Sequence, residues 1–77
     1  MSERKVYGYI TDPDLLQVAA EWHGGQSSPL YALCSTGAVV DGCYAEITEC
    51  IAQALDEFER DRLRGLRSYV DNLEHDA

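Results

Sequence analysis

The strongest constraint on the fold is a helical repeat of apolar residues in the second half of the chain. From Ile47 onward, apolar side chains recur at intervals of three and four residues, which places them on one face of an α-helix. The members of this repeat are Ile47, Cys50, Ile51, Ala54, Leu55 and Phe58. We therefore predict a long helix that begins near Tyr44 and packs this face against the rest of the domain.

The same repeat loses its phase after Phe58. Asp61 falls inside the apolar arc, and Gly65 contributes no side chain to it. A rotated apolar strip then resumes at Leu66, Tyr69, Val70 and Leu73. Two alternatives stay open at this point: the helix breaks between residues 60 and 65, or it continues and its last turns leave the body of the domain.

The first half of the chain predicts a strand followed by a helix. Residues 6–10 are rich in β-branched and aromatic side chains, as is typical of a strand. Asp12 and Pro13 then match the residues preferred at the start of a helix. An apolar face follows at Leu15, Val18, Ala19 and Trp22. Gly24 is expected to end this helix.

Two further strands are predicted before the long helix. Residues 24–29 have the composition of a loop, residues 30–34 are expected to form the second strand, and residues 38–40 the third. The predicted order is β-α-β-β-α. The expected fold class is thus α+β, a small two-layer domain with a three-stranded antiparallel sheet and a long C-terminal helix. A chain of 77 residues forms one domain, residues 1–77.

The charge of the chain restricts the partners that it attracts. Fourteen acidic residues oppose six basic ones, for a net charge of −8, and the segment from Thr11 to Glu59 contains no lysine or arginine. Such a surface repels nucleic acids and anionic membranes and attracts basic protein surfaces. We therefore expect no direct binding of nucleic acid and no membrane association. The alternative is that the charge serves solubility alone.

No pattern of reactive residues predicts an enzyme. The candidate metal ligands lack the close pairing typical of structural zinc sites. They are His23, Cys34, Cys43, Cys50 and His75. A nucleophilic cysteine would need a histidine base and an orienting group, and the sequence does not indicate such a set. We expect no metal, no cofactor and no catalytic residue, and three reduced thiols in a cytoplasmic protein.

Two groups of residues are candidates for binding a partner. The first is the acidic face of the long helix and its flanks, which comprises Asp41, Glu46, Glu49, Asp56 and Glu57. Carboxylates on successive helical turns lie about 5–6 Å apart, a spacing comparable with that of phosphates along DNA. The second group is Tyr7 and Tyr9, which share one face of the first strand. The alternatives are a solvated helix face and tyrosines that complete a small core.

The length, the base-free segment, the element order and the acidic helix together resemble the small acidic anti-CRISPR proteins of phages and mobile elements. The resemblance implies a non-enzymatic inhibitor that docks its acidic face on a basic nucleic-acid-handling protein, such as a CRISPR effector complex. In some members this blocks nucleic-acid binding through DNA mimicry. It also implies the host cell cytoplasm as the location of a phage-encoded protein. The resemblance rests on size, charge and architecture, and no residue is assigned by a shared motif.

The C-terminal arginines distinguish this chain from a pure DNA mimic. Arg60, Arg62, Arg64 and Arg67 alternate with acids, and we expect them to form a self-paired, solvated helix face. The alternative function is a structural or regulatory protein that homodimerises through its C-terminal helix. Because the apolar strip at residues 66–73 spans only about two turns, we expect a monomer or a weak homodimer.

Overall fold

The computed structural model describes residues 5–75, which contain four helices and two strands. Their bounds are β1 Val6–Tyr9, α1 Pro13–Trp22, α2 Pro29–Thr36, β2 Ala38–Val40, α3 Cys43–Gln53 and α4 Glu57–His75. β1, α1 and β2 confirm the predicted strands and helix in those segments. The predicted end of α1 at Gly24 is wrong, because the helix ends at Trp22 and an extended His23 is its C-cap. The predicted fold, with a three-stranded sheet and one long C-terminal helix, is wrong. The chain is mostly helical and its sheet has two strands.

The segment predicted as the second strand is helix α2. Ser28 is its N-cap and accepts a hydrogen bond from the N–H of Leu30 at 3.1 Å, while Pro29 occupies the first helical position. Gly37 ends the helix in the left-handed conformation at φ 80°. Leu30 and Leu33, three residues apart, are fully buried on the inner face. The segment 24–29, which was predicted as a loop from its composition, therefore includes the residues that start α2.

The sheet pairs β1 with β2 in antiparallel register. Val6 lies opposite Val40, Gly8 opposite Val39 and Tyr9 opposite Ala38, with an irregularity between Val6 and Gly8. All of β2 is buried, whereas the ends of β1 are exposed. β2 is thus the centre of the domain and β1 lies at its edge.

The break in the C-terminal helical region lies at residues 54–56, earlier than the predicted position at residues 60–65. Ala54 has an extended backbone, and Asp56 starts α4 by accepting a hydrogen bond from the N–H of Phe58 at 2.7 Å. The guanidinium Nε of Arg60 donates to the carbonyl of Ala54 at 3.2 Å, which fixes the corner between α3 and α4. α4 then continues without interruption through Gly65.

The core surrounds β2 and receives side chains from every helix. Its buried members are Ile10, Val18, Ala19, Leu30, Leu33, Ala38, Val39, Val40, Cys43, Ile47, Cys50, Ala54, Leu63, Leu66 and Val70. From the predicted C-terminal strip, Leu66 and Val70 are fully buried, and Leu73 packs over Gly8 of β1. Most of this strip is thus used inside the domain.

Two carboxylates connect helices that are distant in sequence. Glu46 of α3 accepts hydrogen bonds from the Ser28 hydroxyl at 2.6 and 2.7 Å and from the Leu30 N–H at 3.1 Å. Glu74, near the end of α4, accepts from the Tyr44 N–H at 3.2 Å. Each carboxylate satisfies backbone donors at the positive end of another helix, so both have structural roles.

Candidate protein-binding surface

The structure does not bring the predicted acidic face together as one surface. Glu46 is directed toward α2, where it serves as a capping group. Glu49 is exposed on the outer side of α3, whose other exposed residues include Ala45 and Ala52. Asp56 and Glu57 belong to the first turn of α4 and the residue before it, beyond the end of α3. The predicted carboxylates are therefore divided among the contact with α2, the outer side of α3 and the start of α4, and Asp41 lies beside Tyr7.

The tyrosine pair is also divided. The Tyr7 hydroxyl donates to Asp41 at 3.4 Å, and the ammonium group of Lys5 lies 4.9 Å from the Tyr7 ring centre. Desolvation raises the pKa of Tyr7 above its ordinary value, with the Asp41 carboxylate adding to the effect. Tyr9, in contrast, is 65% exposed. Tyr7 thus packs partly against the core, whereas Tyr9 remains open to a partner.

The arginines of α4 are largely paired, as predicted. Arg60 bonds to Glu57 at 2.8 Å, and Arg64 bonds to Glu57 and Asp61 at 3.0 Å each. Hydrogen bonds from Arg64 and then Arg60 hold the pKa of Glu57 below its ordinary value. These contacts neutralise much of the positive charge of α4 within the molecule.

One arginine connects two helices. Arg62 of α4 donates to both carboxylate oxygens of Glu21 in α1, at 2.8 and 3.3 Å, and also pairs with Glu59 at 3.3 Å. The hydrogen bond from Arg62, followed by that from Gln17, holds the pKa of Glu21 below its ordinary value of 4.5. Because the folded-state pKa is lowered, the stabilisation from this pair is present above pH 4.5 and is lost as the pH falls through the folded-state value.

The Glu21–Arg62 pair gives a prediction for acid unfolding. Replacing Glu21 with glutamine should reduce the loss of stability between pH 5 and pH 3, because the variant lacks a carboxylate that must be protonated. Urea unfolding at a series of pH values measures this. In an Arg62→Gln background the same replacement should change the acid dependence much less. An equal change in both backgrounds would contradict the assignment to this pair.

Among the described residues, the large apolar side chains with the highest exposed fractions lie at the corner between α3 and α4. Leu55 is 96% exposed and Phe58 is 68% exposed, and Asp56 and Glu57 lie between them in sequence. We call these four residues the corner surface. Large apolar side chains exposed beside carboxylates are candidates for contact with a partner protein. Leu55 and Phe58 fit the apolar repeat of the sequence, which is why sequence reasoning assigned them to the core.

A groove between α1 and α4 adjoins the corner surface at Phe58. Its volume is about 340 Å³, and Leu15 and Val18 of α1 form part of its apolar wall together with Phe58. Asp14 and Asp61 contribute carboxylates to the same groove, and Arg62 contributes a guanidinium group that is paired with Glu21 and Glu59. The corner surface and the groove thus combine apolar area with negative charge, which is suited to binding a protein surface with basic and apolar side chains.

Asp56 gives a prediction about the corner itself. Asp56→Ala should lower the free energy of unfolding by about 1 kcal/mol, because α4 loses its N-cap. Asp56→Asn is the matched control, since asparagine caps as well as aspartate and removes only the charge. Urea unfolding of both variants separates the two roles. Equal losses for the two variants would show that the charge, and not the cap, stabilises the corner.

The cysteines and histidines in the described part of the chain are not grouped into a metal site. The three cysteines form no disulfide, and burial, with a smaller contribution from Glu46, raises the pKa of the Cys50 thiol. His23 accepts a hydrogen bond at Nδ1 from the N–H of Gly25 at 3.2 Å. Within residues 5–75, no three histidine, cysteine or acidic side chains are grouped so as to hold a metal ion.

Comparison with known proteins identifies no relative of this chain. Between residues 5 and 75, no helix has both the length and the apolar content that crossing a membrane requires. No protein-family model, curated protein or solved structure matches the chain. Any assignment of function therefore rests on the surface itself.

Proposed function

We propose that this protein is a non-enzymatic inhibitor that binds a basic nucleic-acid-handling protein, in the manner of the small acidic anti-CRISPR proteins, and blocks its access to nucleic acid. The observation that carries the proposal is the corner surface. Leu55 and Phe58 extend into solvent on either side of Asp56 and Glu57 in the sequence. This arrangement supplies apolar anchors for affinity and carboxylates for recognition of a basic partner.

The apolar anchors supply the affinity in this proposal. Full burial of a leucine or phenylalanine side chain is worth about 1.5–3 kcal/mol. Leu55 and Phe58 gain little of this within the domain, because both are largely exposed. A partner that covers them gains it on association, and central apolar anchors commonly dominate the energetics of protein interfaces.

The charge around the corner and groove supplies attraction to a basic partner. The carboxylates of this region outnumber its guanidinium groups: they are Asp14, Glu21, Asp56, Glu57, Glu59 and Asp61, against Arg60, Arg62 and Arg64. The surplus adds to the net charge of −8 of the whole chain. Such a field accelerates encounter with a positively charged surface, and the acceleration falls as salt is added.

The C-terminal strip does not favour the alternative of homodimerisation. Leu66 and Val70 are fully buried in the domain's own core, and Tyr69 is 45% exposed. We therefore expect a monomer or a weak dimer. Light scattering at low micromolar concentration should give a mass close to 8.6 kDa. A stable dimer under these conditions would contradict the expectation and favour the alternative function.

The proposed function is tested by capture followed by competition. The wild-type protein and the Phe58→Ser variant are immobilised and exposed to lysate of the host, with Tyr69→Ser as the control for loss of an exposed aromatic ring. A protein retained by wild type and by Tyr69→Ser, but not by Phe58→Ser, is then purified. Its binding to labelled DNA or RNA is measured by fluorescence anisotropy with increasing amounts of the inhibitor.

The proposal expects displacement of the nucleic acid by the wild-type protein and at least tenfold weaker displacement by Phe58→Ser. It also expects wild-type binding to weaken as the salt concentration rises. A captured partner that binds nucleic acid equally well in the presence of the inhibitor would overturn the proposal. Affinity that is independent of salt would overturn the role of charge.

A further inference from the structure

The groove between α1 and α4 contains a glycine that the fold does not require. Gly65 lies in the interior of α4, is exposed, and has ordinary helical rather than left-handed backbone geometry. Apart from its chain neighbours and the adjacent backbone of α4, a Cβ atom at this position would meet no atom of the described residues within 4 Å. Glycine in a helix interior is unfavourable relative to alanine because it loses more conformational freedom on folding. Neither packing nor backbone conformation explains the residue.

Other glycines of the chain have a visible structural reason. Gly37 has a φ of 80°, and Gly42 has a φ of 97°. A Cβ at Gly8 would lie 3.0 Å from Leu73. Gly65 differs from these because it lines the groove, and the space beside its Cα is open. A missing side chain at such a position leaves room for the backbone or side chain of a bound partner.

The electrostatics of the groove favour a cation. Arg62 lines the groove, and its guanidinium carbon lies 5.9 Å from the centre of the Phe58 ring. Its charge is balanced by Glu21 and Glu59, and that of nearby Arg64 by Glu57 and Asp61. Among residues 5–75, the Asp14 carboxylate in the groove has no ion pair. A cation that entered the groove would therefore meet a carboxylate without a counter-charge beside an apolar wall.

We propose that the α1–α4 groove receives an arginine side chain of the protein partner, and that Gly65 leaves space for the partner segment that carries this arginine. The inference rests on the proposed function, because it identifies which chemistry of the partner the surface recognises. The aliphatic part of the arginine packs against Leu15 and Val18. Its guanidinium group bonds to Asp14 and lies against Phe58, whose ring is 68% exposed.

Arginine fits this groove better than lysine. Its guanidinium group is planar and weakly hydrated, stacks on aromatic rings and bonds to a carboxylate through two parallel N–H groups. A lysine ammonium group is a strongly hydrated point charge, which loses more hydration on entering an apolar groove. The groove volume of about 340 Å³ exceeds what a single side chain needs, so residues next to the arginine also have room.

The first test uses the free protein and three short probes. Acetyl-Leu-Arg-amide, acetyl-Leu-Lys-amide and acetyl-Leu-citrulline-amide are titrated into ¹⁵N-labelled protein, and amide shifts are followed by NMR. We expect saturable shifts at Leu15, Asp61 and Gly65 with the arginine probe, in the millimolar range, and at least threefold weaker binding of the other two. Equal binding of the citrulline probe, or shifts elsewhere only, would overturn the inference.

The second test changes the groove without removing its charge. Gly65→Leu should weaken binding of the arginine probe and of any captured partner at least tenfold. The variant should unfold at no lower urea concentration than wild type. Asn72→Leu is the matched control, because residue 72 is exposed on α4 outside the groove. Asn72→Leu should bind like wild type. Unchanged binding by a folded Gly65→Leu variant would overturn the inference.

The two tests separate this inference from the proposed function. A partner that is captured and inhibited, but binds the Gly65→Leu variant as tightly as wild type, would refute arginine binding in the groove. It would leave the proposed inhibitor function unaffected. Arginine-specific probe binding by a protein that displaces no nucleic acid from any captured partner would support the groove and overturn the proposed function.

Discussion

Replacing Gly37 with alanine is expected to lower the free energy of unfolding by at least about 2 kcal/mol. Gly37 has a φ of 80°, a conformation that costs a residue with a side chain roughly 1–2 kcal/mol. The new Cβ atom would also lie 2.7 Å from the carbonyl oxygen of Ile10, a backbone atom that has little freedom to move. In addition, the Gly37 carbonyl accepts a hydrogen bond from the Ile10 N–H at 2.8 Å, so relief of the clash disturbs the sheet.

Urea unfolding followed by circular dichroism measures this effect, and Gly65→Ala is its control. Gly65→Ala should raise the free energy of unfolding by about 0.5–1 kcal/mol, because its helical backbone and open surroundings accept a side chain without strain. The same change of residue is thus expected to have opposite signs at two positions. A Gly37→Ala variant as stable as wild type would show that the connection between α2 and β2 rearranges easily.

The sequence predicted those elements whose start signals and periodicity agree. In α1, Asp12 and Pro13 precede a regular apolar face, and Asp12 does cap the helix. β1 and β2 were predicted from β-branched and aromatic residues. In each case the local preference and the tertiary environment favour the same structure, so no long-range information was needed.

The prediction failed at α2 because a short apolar run is compatible with both a strand and a helix. Residues 30–34 are five consecutive apolar residues. The helix start formed by Ser28 and Pro29 was assigned to a loop. The decisive contact comes from Glu46, which bonds to this helix start across 16 and 18 residues of sequence. A local pattern does not contain that contact.

The candidate site was missed for a related reason. Leu55 and Phe58 extend the helical repeat of α3, so they were assigned to the buried face. Asp56 and Glu59 form the spacing of a helix start, which would have indicated a new helix and a change of direction. Once α3 ends at Gln53, the two apolar side chains no longer share its orientation and remain exposed.

Replacing Glu46 with alanine is expected to lower the free energy of unfolding by about 2–3 kcal/mol, since hydrogen bonds to charged groups contribute about 1.5–3 kcal/mol. The change leaves the Ser28 hydroxyl, which is largely buried, without its carboxylate partner. For a domain of this size, that loss corresponds to a fall in melting temperature of roughly 8–24 °C. Thermal unfolding followed by circular dichroism measures it directly.

Glu46→Gln and Glu49→Ala are the controls for this experiment. Glutamine keeps an acceptor oxygen and should lose less stability than alanine. Glu49, one turn further along α3, is exposed, so its replacement should change stability by no more than about 0.5 kcal/mol. A double-mutant cycle with Ser28→Ala should show coupling of at least about 0.5 kcal/mol, as expected for directly bonded residues.

The outcome also decides how Glu46 relates to binding. If Glu46→Ala destabilises as expected, its carboxylate is held by α2 and is not available to a partner, whereas the Asp14 carboxylate lies in the groove and forms no ion pair within residues 5–75. If the variant is as stable as wild type, the contact to α2 contributes nothing, and Glu46 becomes a candidate for docking beside Glu49. Binding of the captured partner to the Glu49→Lys variant then distinguishes the two surfaces. Only docking through α3 predicts that this variant loses much of its affinity for the partner.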